Sequence, residues 1–395
     1  MTLRVFTVTF LIVLFVGCSP KWQDVIQYGS IDKEDFHEIL KVELRHGLII
    51  VPIKLKGKTY RFLFDSGAPQ SISEELQEEF NFKVVSSGNI KDTDNHRLKV
   101  NYVSVDTLHI GSIPFLDQTA FVTSFKSSPM ISCLKLDGII GSNLMRYCNW
   151  KIDYAKAELH LSNTTQALLK ESSIKIPFRP DQQYDINIDL KIGSHTLQNL
   201  KVDYGSNGSL SLPNHVFNTL KQKQHFETFR ESGTKQSGLF GKPTDLTREI
   251  AYADTLIIGN IEIHNVEFRS GGSGLIGHKI LSRFIIIIDW ENKFLFLEPV
   301  SSSENINDNF GFKAGYTLEK GIYIQSVTEF SDAALKGVIP DMKILRVDEL
   351  DFTQNQTFCD FVNYMENSAN EIIVHLQDQH EGSHTVSLKK SVPKK

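Results

Sequence analysis

Two short acidic turns hold the residues best suited to chemistry in this sequence. Asp65-Ser66-Gly67-Ala68 follows the apolar run Arg61-Phe62-Leu63-Phe64, and Asp203-Tyr204-Gly205-Ser206 follows Asn199-Leu200-Lys201-Val202. Asp, Ser and Gly are common turn residues, so either stretch alone reads as an ordinary turn. As a pair they offer more. Two carboxylates brought close together cannot both ionise cheaply and so share one proton. The ionised partner can take a proton from a water while the protonated partner donates to a carbonyl, which is general acid–base hydrolysis without a covalent intermediate. Gly67 and Gly205 permit tight turns that bring backbone N–H groups to the charged oxygens.

The elements that must position these turns repeat along the chain. Asp106-Thr107-Leu108-His109-Ile110-Gly111 recurs as Asp254-Thr255-Leu256-Ile257-Ile258-Gly259, and Gly138-Ile139-Ile140-Gly141 recurs as Gly274-Leu275-Ile276-Gly277. Asp65 precedes Gly138 by 73 residues and Asp203 precedes Gly274 by 71. Ile152-Asp153 and Ile288-Asp289 extend the same register. Three landmarks in one order, at matching spacing, mark an internal duplication over 41–162 and 170–300. Short runs rich in Val, Ile, Phe and Thr, broken by Gly, Asn and Asp, predict strands joined by turns. The second copy carries extra residues around Gln224–Arg248, which read as a surface loop.

A duplicated β unit with Asp-x-Gly at the end of an apolar strand, and an apolar pair with Gly downstream, resembles the pepsin and retropepsin superfamily of aspartic proteases. The resemblance covers residues 41 to 300. It implies a mainly β fold of two homologous retropepsin-like lobes in a pepsin-like bilobal unit, with a peptide or protein substrate in the cleft between them. It assigns Asp65 and Asp203 as catalytic, and Ser66, Gly67, Ala68, Tyr204, Gly205 and Ser206 as their supporting loops. Ile140, Gly141, Ile276 and Gly277 fill the second-strand motif. A flap is expected between Asn89 and Tyr102. Tyr204 departs from the family, which places Thr or Ser there so that both loops grip across the interface. Ser206 is expected to donate to Asp203 while Ala68 offers Asp65 nothing, making Asp203 the favoured base and Asp65 the favoured acid.

After the run Ser301–Asn309, residues 310–390 resemble a small α+β PDZ-like domain. The resemblance rests on the strand Ile322–Val327, the helix start Ser331-Asp332-Ala333-Ala334-Leu335-Lys336-Gly337, and Ile344–Glu349. Leu318-Glu319-Lys320-Gly321 stands where the peptide-carboxylate loop is expected. Such domains take a peptide C-terminus or an extended strand at a sheet edge.

Arg4 and the apolar run Val5–Val16 have the layout of a secretory signal over 1–18, too short for a comfortable membrane span. Leu14-Phe15-Val16-Gly17-Cys18 resembles a bacterial lipobox, which implies lipidation at Cys18, a tether over 19–40 and a place in the bacterial cell envelope, periplasmic or surface-facing. Of the other cysteines, Cys133 and Cys148 either bridge or stay as buried free thiols. The thirteen histidines show no metal-ligand spacing, and His375, His380 and His384 fit a solvated hairpin, so neither metal nor cofactor is expected. A net charge of −5 on 395 residues, without a basic tract, argues against nucleic acid. The leading expectation is an aspartic-type endopeptidase. Its rivals are an inactive peptide-binding envelope lipoprotein, which Tyr204 keeps open, and a structural β protein in which the two carboxylates point apart.

Overall fold

Alternating hydrophobicity builds the strands on either side of Asp65. Leu48–Leu55 buries Ile49, Val51, Ile53 and Leu55, then turns at Lys56-Gly57, both at positive φ, into Lys58–Asp65. The computed structural model describes residues 20–94, 96–170, 173–236, 238–300 and 308–394. The signal segment and Cys18 lie outside them. The described chain is mainly β.

The first half pairs Ile113–Thr123, Ser71–Ser73, Gly138–Gly141, Lys58–Asp65, Leu48–Leu55, Arg97–Ile110 and Lys83–Lys91 in that order, with Arg97–Ile110 returning to Ile113–Thr123. The second half repeats the scheme strand for strand. Ile261–Arg269, Leu210–Ser211, Leu275–Ile276, His195–Val202, Ile186–Ile192, Thr244–Ile258 and Thr228–Lys235 pair in the same succession. A third sheet joins the halves edge to edge, with Asn149–Asp153 antiparallel to Phe284–Asp289 and Trp150 opposite Ile288. One apolar core runs through both halves, from Phe64 and Trp150 to Tyr204 and Ile276.

The stretch Gln224–Arg248 is therefore no surface loop. Its strand Thr228–Lys235 is the counterpart of Lys83–Lys91, paired with Thr244–Ile258 as Lys83–Lys91 pairs with Arg97–Ile110. The expected tether is likewise folded. Trp22–Val25 is helical, Val25 and Ile26 are buried, Ser30–Ile31 pairs with Ile113–Thr123, and His37–Lys41 pairs with Glu158–Ser162. Burial of Trp22 against Tyr102 and of Val25 and Ile26 beside Phe121 outweighs the entropy of a free segment.

The C-terminal residues form a separate core around Ile324, Val347, Phe361 and Val374, with the helix Phe358–Glu366 started by a Thr357–Asp360 capping box. Ser331 caps the short helix Asp332–Leu335. Leu318–Lys320 is a turn between Phe312–Thr317 and Gly321–Thr328, and Leu318 is 94% exposed. This unit is fastened to both halves. Gly321–Thr328 pairs with Thr228–Lys235 of the second half. Cys359 is bonded to Cys133 of the first, and Arg45 bridges to Glu366 at 3.0 Å. The disulfide thus joins Cys133 to Cys359, not to Cys148, whose buried thiol is free. Cys133 lies in the helix Pro129–Leu134, which packs against Phe358–Glu366, so the partner distant in sequence is the near one in space. Among the described residues no helix is long and apolar enough to cross a membrane.

Candidate active site

Asp65 ends the strand Lys58–Asp65, which runs parallel to Gly138–Gly141 with Gly141 opposite Asp65. Asp203 follows His195–Val202, whose parallel neighbour is Leu275–Ile276, and the Asp203 N–H donates to Ile276 O at 2.9 Å. Each apolar-apolar-Gly motif thus lies beside its Asp. The loops are tied to the helices that follow these motifs in the same way twice: Ser142 N–H donates to Ala68 O at 2.9 Å, and His278 N–H to Ser206 O at 2.8 Å.

The two Asp loops face each other. Gly67 N–H donates to Asp65 Oδ1 at 2.8 Å and Gly205 N–H to Asp203 Oδ1 at 2.9 Å. A methyl group on Gly67 would come within 2.7 Å of the Asp203 Cγ, and one on Gly205 within 2.3 Å of the Asp65 Oδ2. Each glycine is needed because the opposite carboxyl group fills the space a side chain would occupy. The hydroxyl grip between loops comes from one side only. Ser66, fully buried, donates to Val202 O at 2.6 Å and accepts from Tyr204 N–H at 3.2 Å. Tyr204 turns its ring into the core, 5.4 Å from the Phe64 ring and 6.3 Å from that of Tyr154. Its backbone supplies the donor and its side chain plays no part in the grip.

Burial raises both carboxyls above the ordinary aspartate range, even though each keeps a hydrogen bond from its glycine. The charge of Asp65 pushes Asp203 up further, and a hydrogen bond from the Asp203 carboxyl holds Asp65 down. The two carboxyls therefore hold one proton as a pair, and the order expected from Ser206 lacks the hydrogen bond it rested on. The Ser206 hydroxyl accepts from Gly208 N–H at 3.4 Å, inside its own turn, and forms no bond to the Asp203 carboxylate.

A charged neighbour lies beyond the residues that the sequence pattern picks out. Lys201 stands two residues before Asp203, where the first copy has Leu63 two residues before Asp65. Burial alone would lower its pKa, but its ion pair with buried Asp185 holds it raised, and its Nζ also reaches Gly67 O at 3.4 Å. Its charge lowers the pKa of both Asp65 and Asp203. The mismatch with Leu63 in the repeat is the signal that could have found it.

The expected flap is a hairpin of Lys83–Lys91 and Arg97–Ile110. The second half carries its own, Thr228–Lys235 with Thr244–Ile258, and the two tips meet. Asp94 Oδ1 pairs with Lys235 Nζ at 2.9 Å, and Asp94 Oδ2 accepts from Gly238 N–H at 2.6 Å.

Residues 51–144 match the aspartyl protease family model. That span contains Asp65, the first flap and Gly141, and the first half is aspartyl protease-like. It stops short of Asp203. No curated protein matches the chain.

Proposed function

We propose that the chain is an aspartic-type endopeptidase whose two homologous β halves form a pepsin-like bilobal unit with Asp65 and Asp203 as its dyad. The observation that carries the reading is the reciprocal packing of each loop glycine on the opposite carboxyl group, with Ser66 joining the loops. The ionised member of the pair takes a proton from a water held between the carboxylates. The protonated member donates its proton to the scissile carbonyl oxygen as that water attacks, giving a tetrahedral diol. Return of a proton to the amide nitrogen then releases the amine. Lys201 draws both carboxyls downward against burial and the opposing charge of Asp185.

By residue type alone, Tyr204 favours the inactive binding protein. That support lapses because the loop keeps its Ser66 bond with the tyrosine ring folded away. The test is incubation with a mixed peptide library at several pH values. Cleavage that disappears in Asp65→Asn and in Asp203→Asn, with folding intact, is expected. Cleavage retained by either variant sinks the dyad.

Outside the two halves, residues 310–390 act as a PDZ-like domain for a peptide C-terminus or extended strand, and lipidation of Cys18 anchors the protein in the bacterial envelope. Cys18→Ala should release it from the membrane fraction. A variant that stays membrane-bound with a normally processed N-terminus counts against the anchor.

A further inference from the structure

The second flap reaches further into the first half than a lid requires. Beyond Lys235 its tip turns through Gly238–Gly241, closed by Gln236 Nε2 donating to Gly241 O at 2.6 Å. Leu239 leaves this turn and packs against two apolar clusters of the first half at once. One includes Leu63, Ile139 and Phe125; the other includes Val100, Tyr102 and Phe121. Phe62 and Phe64 point into the main core, so Leu63 lies on the other face of its strand, the face that carries the Asp65 side chain. Ile139 sits beside Leu63 in register. Val100 and Tyr102 belong to the first flap. Leu239, half-buried, therefore packs against one cluster that includes residues of that flap and another that includes Leu63 of the Asp65 strand, on the carboxylate's side of the sheet. A side chain of a bound peptide would need this position.

The wedge is fixed by the flap tip. Asp92 and Asp94 have side chains 3% and 1% exposed. Asp94 binds Lys235 and the Gly238 N–H, and Asp92 Oδ2 accepts from Phe240 N–H at 3.3 Å. A methyl group on Gly238 would lie 2.2 Å from the Asp92 Oδ2, so the turn can seat this closely only with glycine there.

We propose that the Leu239 turn is an internal competitor for the cleft, filling a subsite for a branched aliphatic side chain and clasping the first flap shut. The effect on cleavage rests on the aspartic peptidase reading; the clasp itself does not. A peptide carrying leucine at the matching position must displace Leu239 before it reaches the dyad. The apparent affinity is reduced by the fraction of molecules in which the clasp is closed.

The test uses the full chain with Leu239→Ser, and with Gly238→Ala as a second variant that keeps the apolar side chain but pushes the turn off Asp92. Three readouts separate the possibilities. Amide hydrogen exchange in Arg97–Tyr102 should quicken in both variants, and unchanged exchange in two folded variants overturns the clasp. In an Asp65→Asn background, a fluorescent hexapeptide with a central Leu-Leu should bind roughly four- to tenfold tighter once Leu239 is replaced, the worth of clearing one half-buried leucine. Equal affinity overturns the competition. Cleavage should rise by a similar factor in Leu239→Ser when Asp65 is intact. Faster exchange and tighter binding without cleavage keep the clasp and refute the peptidase reading, whereas equal cleavage by wild type and variants refutes the competition alone.

Discussion

Ser66→Ala tests the joint between the loops most directly. In the wild type one hydroxyl makes both cross-loop bonds, to Val202 O at 2.6 Å and from Tyr204 N–H at 3.2 Å, in a place with no solvent access. The alanine fits without strain because it only removes an atom. It takes away a donor and an acceptor together, and the Tyr204 N–H is left buried without its partner. An unsatisfied buried group costs about 1–3 kcal/mol and the second lost bond adds about 1, so a loss of roughly 2–4 kcal/mol is expected. Tyr204 offers no hydroxyl in return, so nothing in the opposite loop compensates. Chemical unfolding followed by tryptophan fluorescence measures the stability, and the pH–rate profile of any peptide cleavage reports the loop register. Ser66→Thr, which keeps the oxygen, should behave nearly like the wild type. A Ser66→Ala protein within about 0.5 kcal/mol of wild type would refute the reasoning, since that is the range of an inconsequential surface change.

Three further outcomes are expected at the same site. Tyr204→Phe should leave stability unchanged or raise it by up to about 1–3 kcal/mol, because the buried tyrosine hydroxyl has no partner among the described residues; a marked loss in thermal melting would mean the hydroxyl is bonded. Lys201→Met should move the acidic limb of the pH–rate profile upward, since the lysine charge lowers both carboxyls, whereas Lys201→Arg should hold it in place. Both carboxyls are raised in the fold, so their contribution favours folding at low pH and is lost as pH rises through the raised values. Asp203→Asn should therefore gain stability over wild type as pH climbs above the ordinary aspartate range, and melting curves that diverge in the opposite direction would refute the raised pKa.

Much of the frame was legible in the sequence because it depends on local pattern. Asp65 at the end of an apolar strand, the paired Ile140-Gly141 and Ile276-Gly277, and the hairpin near Asn89–Tyr102 need only strand periodicity and turn chemistry. What escaped was decided by contacts far apart in the chain. The Ser206 hydroxyl had two destinations, and its own turn won over Asp203. Cys133 has Cys148 close in sequence but Cys359 close in space. Residues 19–40 read as a tether because they lie between the signal and the first copy of the repeat, yet a few apolar side chains in them complete the surface beside the first flap. Leu239 and Phe240 are two apolar residues in an otherwise small and polar turn, and nothing local says which surface Leu239 covers. The Gln224–Arg248 stretch looked inserted because its strand lacks the sequence likeness that its pairing plainly has.

The bond between Cys133 and Cys359 closes the chain into a covalent hoop spanning a sequence separation of 226 residues. Asp203, the second flap and the stretch 301–307 all lie within the hoop, while Asp65 lies outside it. A single backbone cut anywhere on the hoop opens it without dividing the molecule. A protease site engineered into 301–307 should therefore give one band on a non-reducing gel after cutting, and two fragments once the disulfide is reduced. The C-terminal unit is held to the first half by that bond and to the second by strand pairing, so it spans the seam between the two aspartates like a rivet plate. In an oxidising compartment such a molecule tolerates nicks that would dismantle an open chain.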